Sequence, residues 1–160
     1  MVGKAQFEAT CANGCHGVKG EGIGDVRGVD PRDYTQAELE TYTLTHMPAG
    51  NFGPCTTVDN CALNTSAYIK SLAAEVDEGA TLYADANWGC LDCHGEDGAK
   101  TPTIFKNPAA SKKKPLDTLT TAIDLTMPYR DPALQLACDA ACSAKIALFW
   151  KMLQWDATPR

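Results

Sequence analysis

The sequence predicts an all-α protein built from two similar halves. Near the end of each half, in residues 63–72 and 134–152, apolar residues recur at the three- and four-residue intervals of an amphipathic helix. Alternating apolar and polar runs, which are typical of strands, are nearly absent. Cysteine, methionine and aromatic landmarks of the first half return about eighty residues later, which indicates an internal duplication. These three observations predict two small helical domains in tandem.

The duplication follows one order of elements in both halves. An aromatic residue is followed by a cysteine–histidine motif, a glycine turn, a helix, a Met-Pro dipeptide, a cysteine pair and a closing helix. The acidic cluster in residues 75–78, followed by Gly79, is typical of a helix end. We therefore expect domains of residues 1–78 and 79–160, with Gly79 as a helix cap. The residues that match about eighty positions apart are Cys15 with Cys93, Met47 with Met127 and Cys61 with Cys142.

Composition limits the class of protein. The chain has 160 residues, of which 44% are hydrophobic and 21% charged, and this is ordinary globular usage. No stretch of uncharged apolar residues approaches the length of a transmembrane helix, so we expect no membrane span. The net charge of −6 provides no positive field for a phosphate backbone, so nucleic acid is not an expected partner.

Eight cysteines in a chain of this length are unusual for a reducing compartment. They indicate an oxidising compartment or a covalently attached cofactor. The first residues, MVGKAQFEATC, lack the apolar core of a signal peptide. We therefore expect a periplasmic or extracellular bacterial protein whose signal peptide is not present in this chain, and which is a module of a larger chain.

Two of the four cysteine pairs run directly into histidine. Residues 90–94 read CLDCH, the CxxCH attachment signature of c-type haem, in which two thioethers hold the porphyrin and the histidine binds iron. Residues 11–16 read CANGCH, with one extra residue between the cysteines. Both motifs continue into glycine, as expected where the chain turns beside a flat cofactor. The sequence predicts two covalent haem c groups; the residues concerned are Cys11, Cys15 and His16 in the first half and Cys90, Cys93 and His94 in the second.

Two Met-Pro dipeptides, at Met47 and Met127, predict the distal iron ligands. Each methionine follows the histidine of its half by about thirty positions. Histidine with methionine is the ligand set of an electron-transfer haem of raised potential. His46 is an alternative ligand, but adjacent loop residues cannot both point inward, and the second half has Thr126 at this place. We therefore predict Met47 and Met127 as distal ligands.

The other four cysteines form one pair after each Met-Pro dipeptide. We expect disulfides between Cys55 and Cys61 and between Cys138 and Cys142, each tethering the methionine loop to the closing helix. The alternatives are free buried thiols or a zinc site, but zinc needs four converging ligands and would leave the haem motifs unexplained. The aspartates within residues 25–33 are of a type that binds calcium, although a solvated loop is the expected state.

With these motifs, the chain resembles a dihaem cytochrome c made of two class I cytochrome c domains, and the resemblance covers essentially all 160 residues. CxxCH and a Met-Pro about thirty residues later carry it, whereas the CxxxCH of the first half departs from the family pattern. The stretch from MPAGNFGPC to CALNTSAYI is also similar to cytochrome modules in multidomain secreted proteins of cellulose-degrading marine bacteria. For those modules, electron delivery to copper-dependent lytic polysaccharide monooxygenases has been proposed.

The resemblance implies an electron carrier, not an enzyme, which exchanges single electrons with redox protein partners such as a lytic polysaccharide monooxygenase. A small dihaem peroxidase is the alternative, and it would need an iron with an open sixth position and distal acid–base groups. A haem-based redox sensor module, signalling by ligand exchange, is a third interpretation. An absorption spectrum discriminates between them, because methionine–iron bands from both ferric haems leave no site for peroxide.

Charge is divided unevenly between the halves. Residues 1–79 hold 5 basic and 11 acidic residues, whereas residues 80–160 hold 9 of each. Lys100, Lys106 and the lysine run 112–114 concentrate positive charge in the second half. Such a run is usually a solvated face, but near a haem edge it can steer an acidic redox partner.

Overall fold

The computed structural model describes residues 2–24, 26, 28–47, 55, 60–87, 90–96, 113–127 and 138–153. Every regular element in these ranges is helical, which confirms the predicted all-α class. The chain divides into two compact units. Unit 1 comprises Met1–Gly22 and Val26–Ala73, and unit 2 comprises Ile23–Asp25 and Ala74–Arg160. None of the described helices has the length and apolar character needed to cross a membrane.

Unit 1 is built on a closing helix that packs against two others. Its elements are α1 (Val2–Phe7), a π-helical segment (Glu8–His16), α2 (Gln36–His46) and the closing helix α3 (Cys61–Ser71). Helix α3 packs against both α1 and α2. A capping box starts α2, because the Glu38 N–H donates to the Thr35 hydroxyl (3.2 Å) and the Thr35 N–H donates to the Glu38 carboxylate (2.7 Å). The core residues are Phe7, Ala12, Leu39, Tyr68, Ile69 and Leu72.

Unit 2 repeats this plan. Its elements are α4 (Ala73–Ala84), α5 (Cys90–His94), α6 (Leu116–Thr126) and the closing helix α7 (Ala140–Leu153). Helix α7 packs against α6 and contributes most of the core, since its residues from Ile146 to Trp150 are all buried. Val76 and Tyr83 of α4 and Leu119 of α6 complete the same cluster.

Helix α4 continues through Gly79, so the predicted helix cap at this glycine is wrong. Residues 78 and 79, the expected domain boundary, both lie inside α4. Gly79 lies instead where α4 packs against α7. A Cβ there would overlap the carbonyl oxygen of Lys145 and lie 2.9 Å from the Cβ of Phe149. The glycine is needed because the backbones of the two helices approach too closely for a side chain.

The same close approach occurs in unit 1. A Cβ at Gly3 of α1 would overlap the carbonyl oxygen of Asn64 in α3 and lie 3.2 Å from the Cβ of Tyr68. Tyr68 and Phe149 are offset in the chain by the same interval as the matched cysteines Cys61 and Cys142. The two units therefore share the packing of their first and closing helices as well as their sequence landmarks.

Candidate functional site

The cysteines divide into two classes. Cys55 is bonded to Cys61 and Cys138 to Cys142, the two pairs that the sequence predicts. Of the motif cysteines, Cys11, Cys15 and Cys90 lie outside these disulfides, while the side chain of Cys93 lies outside the described residues. The described cysteines therefore separate into those that form disulfides and those that belong to the two Cys-His motifs.

The first motif turns sharply between its cysteines. Within the π-helical segment, Asn13 (ψ 114°) and Gly14 (φ 81°) depart from helical angles. Glycine takes this left-handed conformation without steric cost, so the turn accommodates the residue that CANGCH has in excess of CxxCH. Burial, with a smaller contribution from Cys15, raises the pKa of the Cys11 thiol to about 11, whereas Cys15 is exposed.

His16 ends the π-helical segment and is partly buried. Burial lowers the pKa of its imidazole, which favours the neutral form that binds metals. Its Nδ1 atom is buried and has no hydrogen-bond partner among the described residues. Because buried polar atoms are nearly always paired in native proteins, this vacant nitrogen fits a site that is completed by a bound group.

The second motif lies on the short helix α5. Cys90 begins the helix and His94 ends it, so they are four residues apart and share a face. Burial lowers the pKa of His94, as it does for His16. The ring of His94 meets that of Trp150 edge-on, with centroids 4.9 Å apart. Trp150 of the closing helix therefore packs against this imidazole.

A tyrosine hydroxyl anchors the loop after each histidine. In unit 1, the Tyr68 hydroxyl donates to the carbonyl oxygen of Val18 (2.7 Å). In unit 2, the Tyr83 hydroxyl donates to the carbonyl oxygen of Gly95 (2.7 Å). Tyr68 belongs to a closing helix, whereas Tyr83 belongs to α4 at the start of its unit. The two units therefore anchor this loop from opposite helices, at the second residue after His16 and at the first residue after His94.

The hydroxyl comes from a different helix in each unit because phenylalanine and tyrosine have changed places between the two units. Phe7 packs against Tyr68 with ring centroids 5.4 Å apart, and Tyr83 packs against Phe149 at 5.3 Å. Phenylalanine comes first in unit 1 and tyrosine comes first in unit 2. The sequence shows aromatic residues at these places, but the hydroxyl contact depends on where the loop runs and is not visible in the spacing.

The two methionines have the same local geometry. Met47 follows the last residue of α2 with φ −121° and ψ 142°, and Met127 follows α6 with φ −121° and ψ 141°. Each amide donates to the carbonyl oxygen four residues earlier, which is Thr43 (3.2 Å) or Ile123 (3.0 Å). Both methionines are half-buried. Each belongs to the same unit as its predicted histidine partner.

His46 is placed differently from its neighbour Met47. Its side chain is exposed and stacks on Tyr42, with ring centroids 4.5 Å apart. Its Nδ1 atom lies 2.6 Å from the Thr45 hydroxyl. The imidazole is therefore held along the surface of α2, while Met47 is the more buried of the two residues.

The acidic residues of the glycine-rich loop form internal contacts. Asp30 is buried, and its carboxylate accepts hydrogen bonds from the Arg32 guanidinium, the closest at 2.6 Å. Within the described part of the chain, no three His, Cys, Asp or Glu residues are grouped as a metal site.

When the chain is compared with protein-family models, curated proteins and solved structures, none matches it.

Proposed function

We propose that the protein is an electron carrier with two covalently attached haem c groups, one in each of two class I cytochrome c-like domains. The iron ligands would be His16 with Met47 and His94 with Met127. The main support is the repeated arrangement of a Cys-His motif and a helix that ends at a half-buried methionine of nearly identical backbone geometry. When bound, haem supplies reversible one-electron chemistry.

The protein residues hold and orient the site. The motif cysteines would supply the thioether bonds, and burial lowers the pKa values of His16 and His94, which favours the neutral imidazole that would bind iron. The anchors from Tyr68 and Tyr83 fix the loops after these histidines. Groups that only hold and orient the site are what an electron carrier needs.

The disulfides bear on the compartment of the protein, and the lysine run of the second half bears on its partners. Two disulfides are typical of an oxidising compartment, which supports a periplasmic or extracellular location. The partners we propose are redox proteins, among them a copper-dependent lytic polysaccharide monooxygenase, with this chain acting as a module of a larger one. Weak redox encounters bury little surface and depend on electrostatic steering.

Mass spectrometry of the denatured protein tests the proposal directly. We expect the polypeptide mass plus two haems, because thioether bonds survive denaturation. The double variant Cys90→Ala/Cys93→Ala should retain one haem, and so should Cys11→Ala/Cys15→Ala. Replacing the disulfide pair Cys138 and Cys142 with alanine is the control and should retain both. A single haem in the unaltered protein would remove the Cys11 site, and none would overturn the proposal.

Electron delivery to an acidic acceptor should be sensitive to salt. Lys113 and Lys114 are exposed, whereas Lys100, Lys106 and Lys112 lie outside the described residues. Raising ionic strength from about 0.01 to 0.15 M shortens the Debye length from about 30 to 8 Å, so reoxidation measured by stopped flow should slow.

Neutralising the lysine run identifies the surface that the acceptor uses. Replacing the three lysines at residues 112–114 with glutamine should make the reoxidation rate less dependent on salt concentration. Lys145→Gln is the control, because this lysine pairs with Glu78 on the protein itself (2.7 Å) and should change little. A rate that responds neither to salt nor to the lysine substitutions would reject steering by this surface.

A further inference from the structure

Each unit uses one lysine of its closing helix to bind main-chain carbonyl groups. The Lys70 ammonium donates to the carbonyl oxygens of Pro31 and Tyr34, both at 2.7 Å. The Lys151 ammonium donates to the carbonyl oxygen of Lys114 at 3.0 Å, and Lys151 is 0% exposed. Because burying an ammonium group is costly, Lys151 is not an ordinary solvated cation, and the half-buried Lys70 makes two main-chain contacts.

The two lysines make the same contact in the duplicated plan. Lys70 and Lys151 are offset by about eighty positions, and so are the residues whose carbonyl groups they bind, Tyr34 and Lys114. Tyr34 and Lys114 each directly precede the N-cap residue of a helix, α2 or α6, and a predicted methionine ligand follows the end of each helix. The surrounding sequences in this register, PRDYTQ and SKKKPL, have little in common, so the contact is the same although the local sequence differs.

The closing helix also holds the other side of each methionine. On α3, Cys61 is bonded to Cys55 and lies nine residues before Lys70. On α7, Cys142 is bonded to Cys138 and lies nine residues before Lys151. Nine helical residues span about 14 Å. A single helix therefore anchors the chain both before and after the methionine in each unit.

We define the methionine segments as residues 34–55 and 114–138, the stretches between these two anchors. Met47 follows Tyr34 at the same interval at which Met127 follows Lys114. Between the bound carbonyl group and the methionine, nearly all residues of each unit belong to an 11-residue helix. Because this helix is hydrogen-bonded throughout and packs against the closing helix, fixing its start restricts the movement of the methionine at its end.

We propose that Lys70 and Lys151 are positioning residues that hold the methionine segments on their closing helices and so slow the displacement of the methionine by external ligands. This role rests on the proposed function, because it requires iron–methionine bonds. It deepens that function by naming residues outside the haem motifs that keep the sixth iron position closed. The disulfide alone anchors only one end of each segment.

The test is the rate at which cyanide binds to the oxidised protein, followed by stopped-flow absorption. Lys70→Leu and Lys151→Leu remove the ammonium donor, retain apolar bulk and add no iron ligand. We expect two kinetic phases in the unaltered protein. Each variant should accelerate a different one by about tenfold, the factor to which about 1.4 kcal/mol of barrier corresponds. Hydrogen exchange should accelerate in α2 for Lys70→Leu and in α6 for Lys151→Leu.

Lys145→Leu is the matched control. It removes an ammonium group from the same helix as Lys151, but that group pairs with the Glu78 carboxylate and not with a methionine segment. Both cyanide phases should be unchanged in this variant. Lys70→Arg retains a donor at a half-buried position and should restore the slow rate. Acceleration in the Lys145 control, or fast binding in Lys70→Arg, would contradict the positioning role.

The outcomes separate this role from the function on which it rests. A protein that carries two haems with methionine–iron bands, but whose cyanide rates are unchanged in both lysine variants, overturns the positioning role and leaves the electron carrier intact. A protein without haem overturns both. If the fully buried Lys151 does not tolerate leucine, Lys70→Leu decides the question, since Lys70 is only half-buried.

Discussion

Met127→Leu should remove one of two methionine–iron charge-transfer bands from the oxidised protein and lower the potential of that haem. The thioether favours ferrous iron, so its loss favours the ferric state. Axial ligands set haem potentials over a range of about 0.8 V, and we expect a shift on the order of 0.1 V. Absorption spectroscopy and potentiometric titration measure the two effects.

The chain offers a matched control for this substitution. Met152 lies in α7, is almost fully buried in the core of unit 2 and is not a predicted ligand. Met152→Leu should therefore leave both bands and both potentials in place. Met47→Leu should remove the other band. If both bands persisted in Met47→Leu, His46 or another group would be the ligand in unit 1.

Gly79→Ala should lower the free energy of unfolding of unit 2 by about 1–3 kcal/mol, the usual cost of overpacking. In an exposed helix the same change stabilises by about 0.5–1 kcal/mol, so the sign is informative. The added methyl group would overlap the Lys145 carbonyl oxygen and force α4 away from α7. Urea unfolding followed by circular dichroism measures the change.

Gly3→Ala should have the same effect in unit 1, where the methyl group would overlap the Asn64 carbonyl oxygen. Thr81→Ala provides a control in α4, because the Thr81 side chain is exposed and donates to the Asp77 carbonyl oxygen of its own helix (3.0 Å). It should leave the midpoint nearly unchanged. An unaltered or higher midpoint for Gly79→Ala would contradict the close approach of the two helices.

Covalent motifs and helical periodicity are what made much of this structure predictable. The pairing of Cys55 with Cys61 follows from their closeness in the chain once the motif cysteines are set aside, and the closing helices follow from the recurrence of apolar residues. The end of α2 at His46 also agrees with the Met-Pro dipeptide that follows it. Each of these features depends on residues close together in the chain.

Contacts between distant residues could not be predicted in this way. Gly79 is indistinguishable in sequence from a helix cap, and only the position of Lys145 shows why it lacks a side chain. Lys151 lies in the apolar run IALFWKML, but no sequence pattern shows that its ammonium group is buried against the Lys114 carbonyl oxygen. In both cases the determinant is the neighbouring element, which sequence spacing does not encode.

The swapped aromatic pairs bear on how the duplicated chain avoids mispairing as it folds. If α1 paired with α7, Phe7 would meet Phe149, and no hydroxyl would reach a loop carbonyl. If α4 paired with α3, Tyr83 and Tyr68 would bring two hydroxyls to one aromatic pair, and a buried hydroxyl without a partner costs about 1–3 kcal/mol. We therefore expect a chimera in which the first helices of the two units are exchanged to be less stable than the unaltered protein.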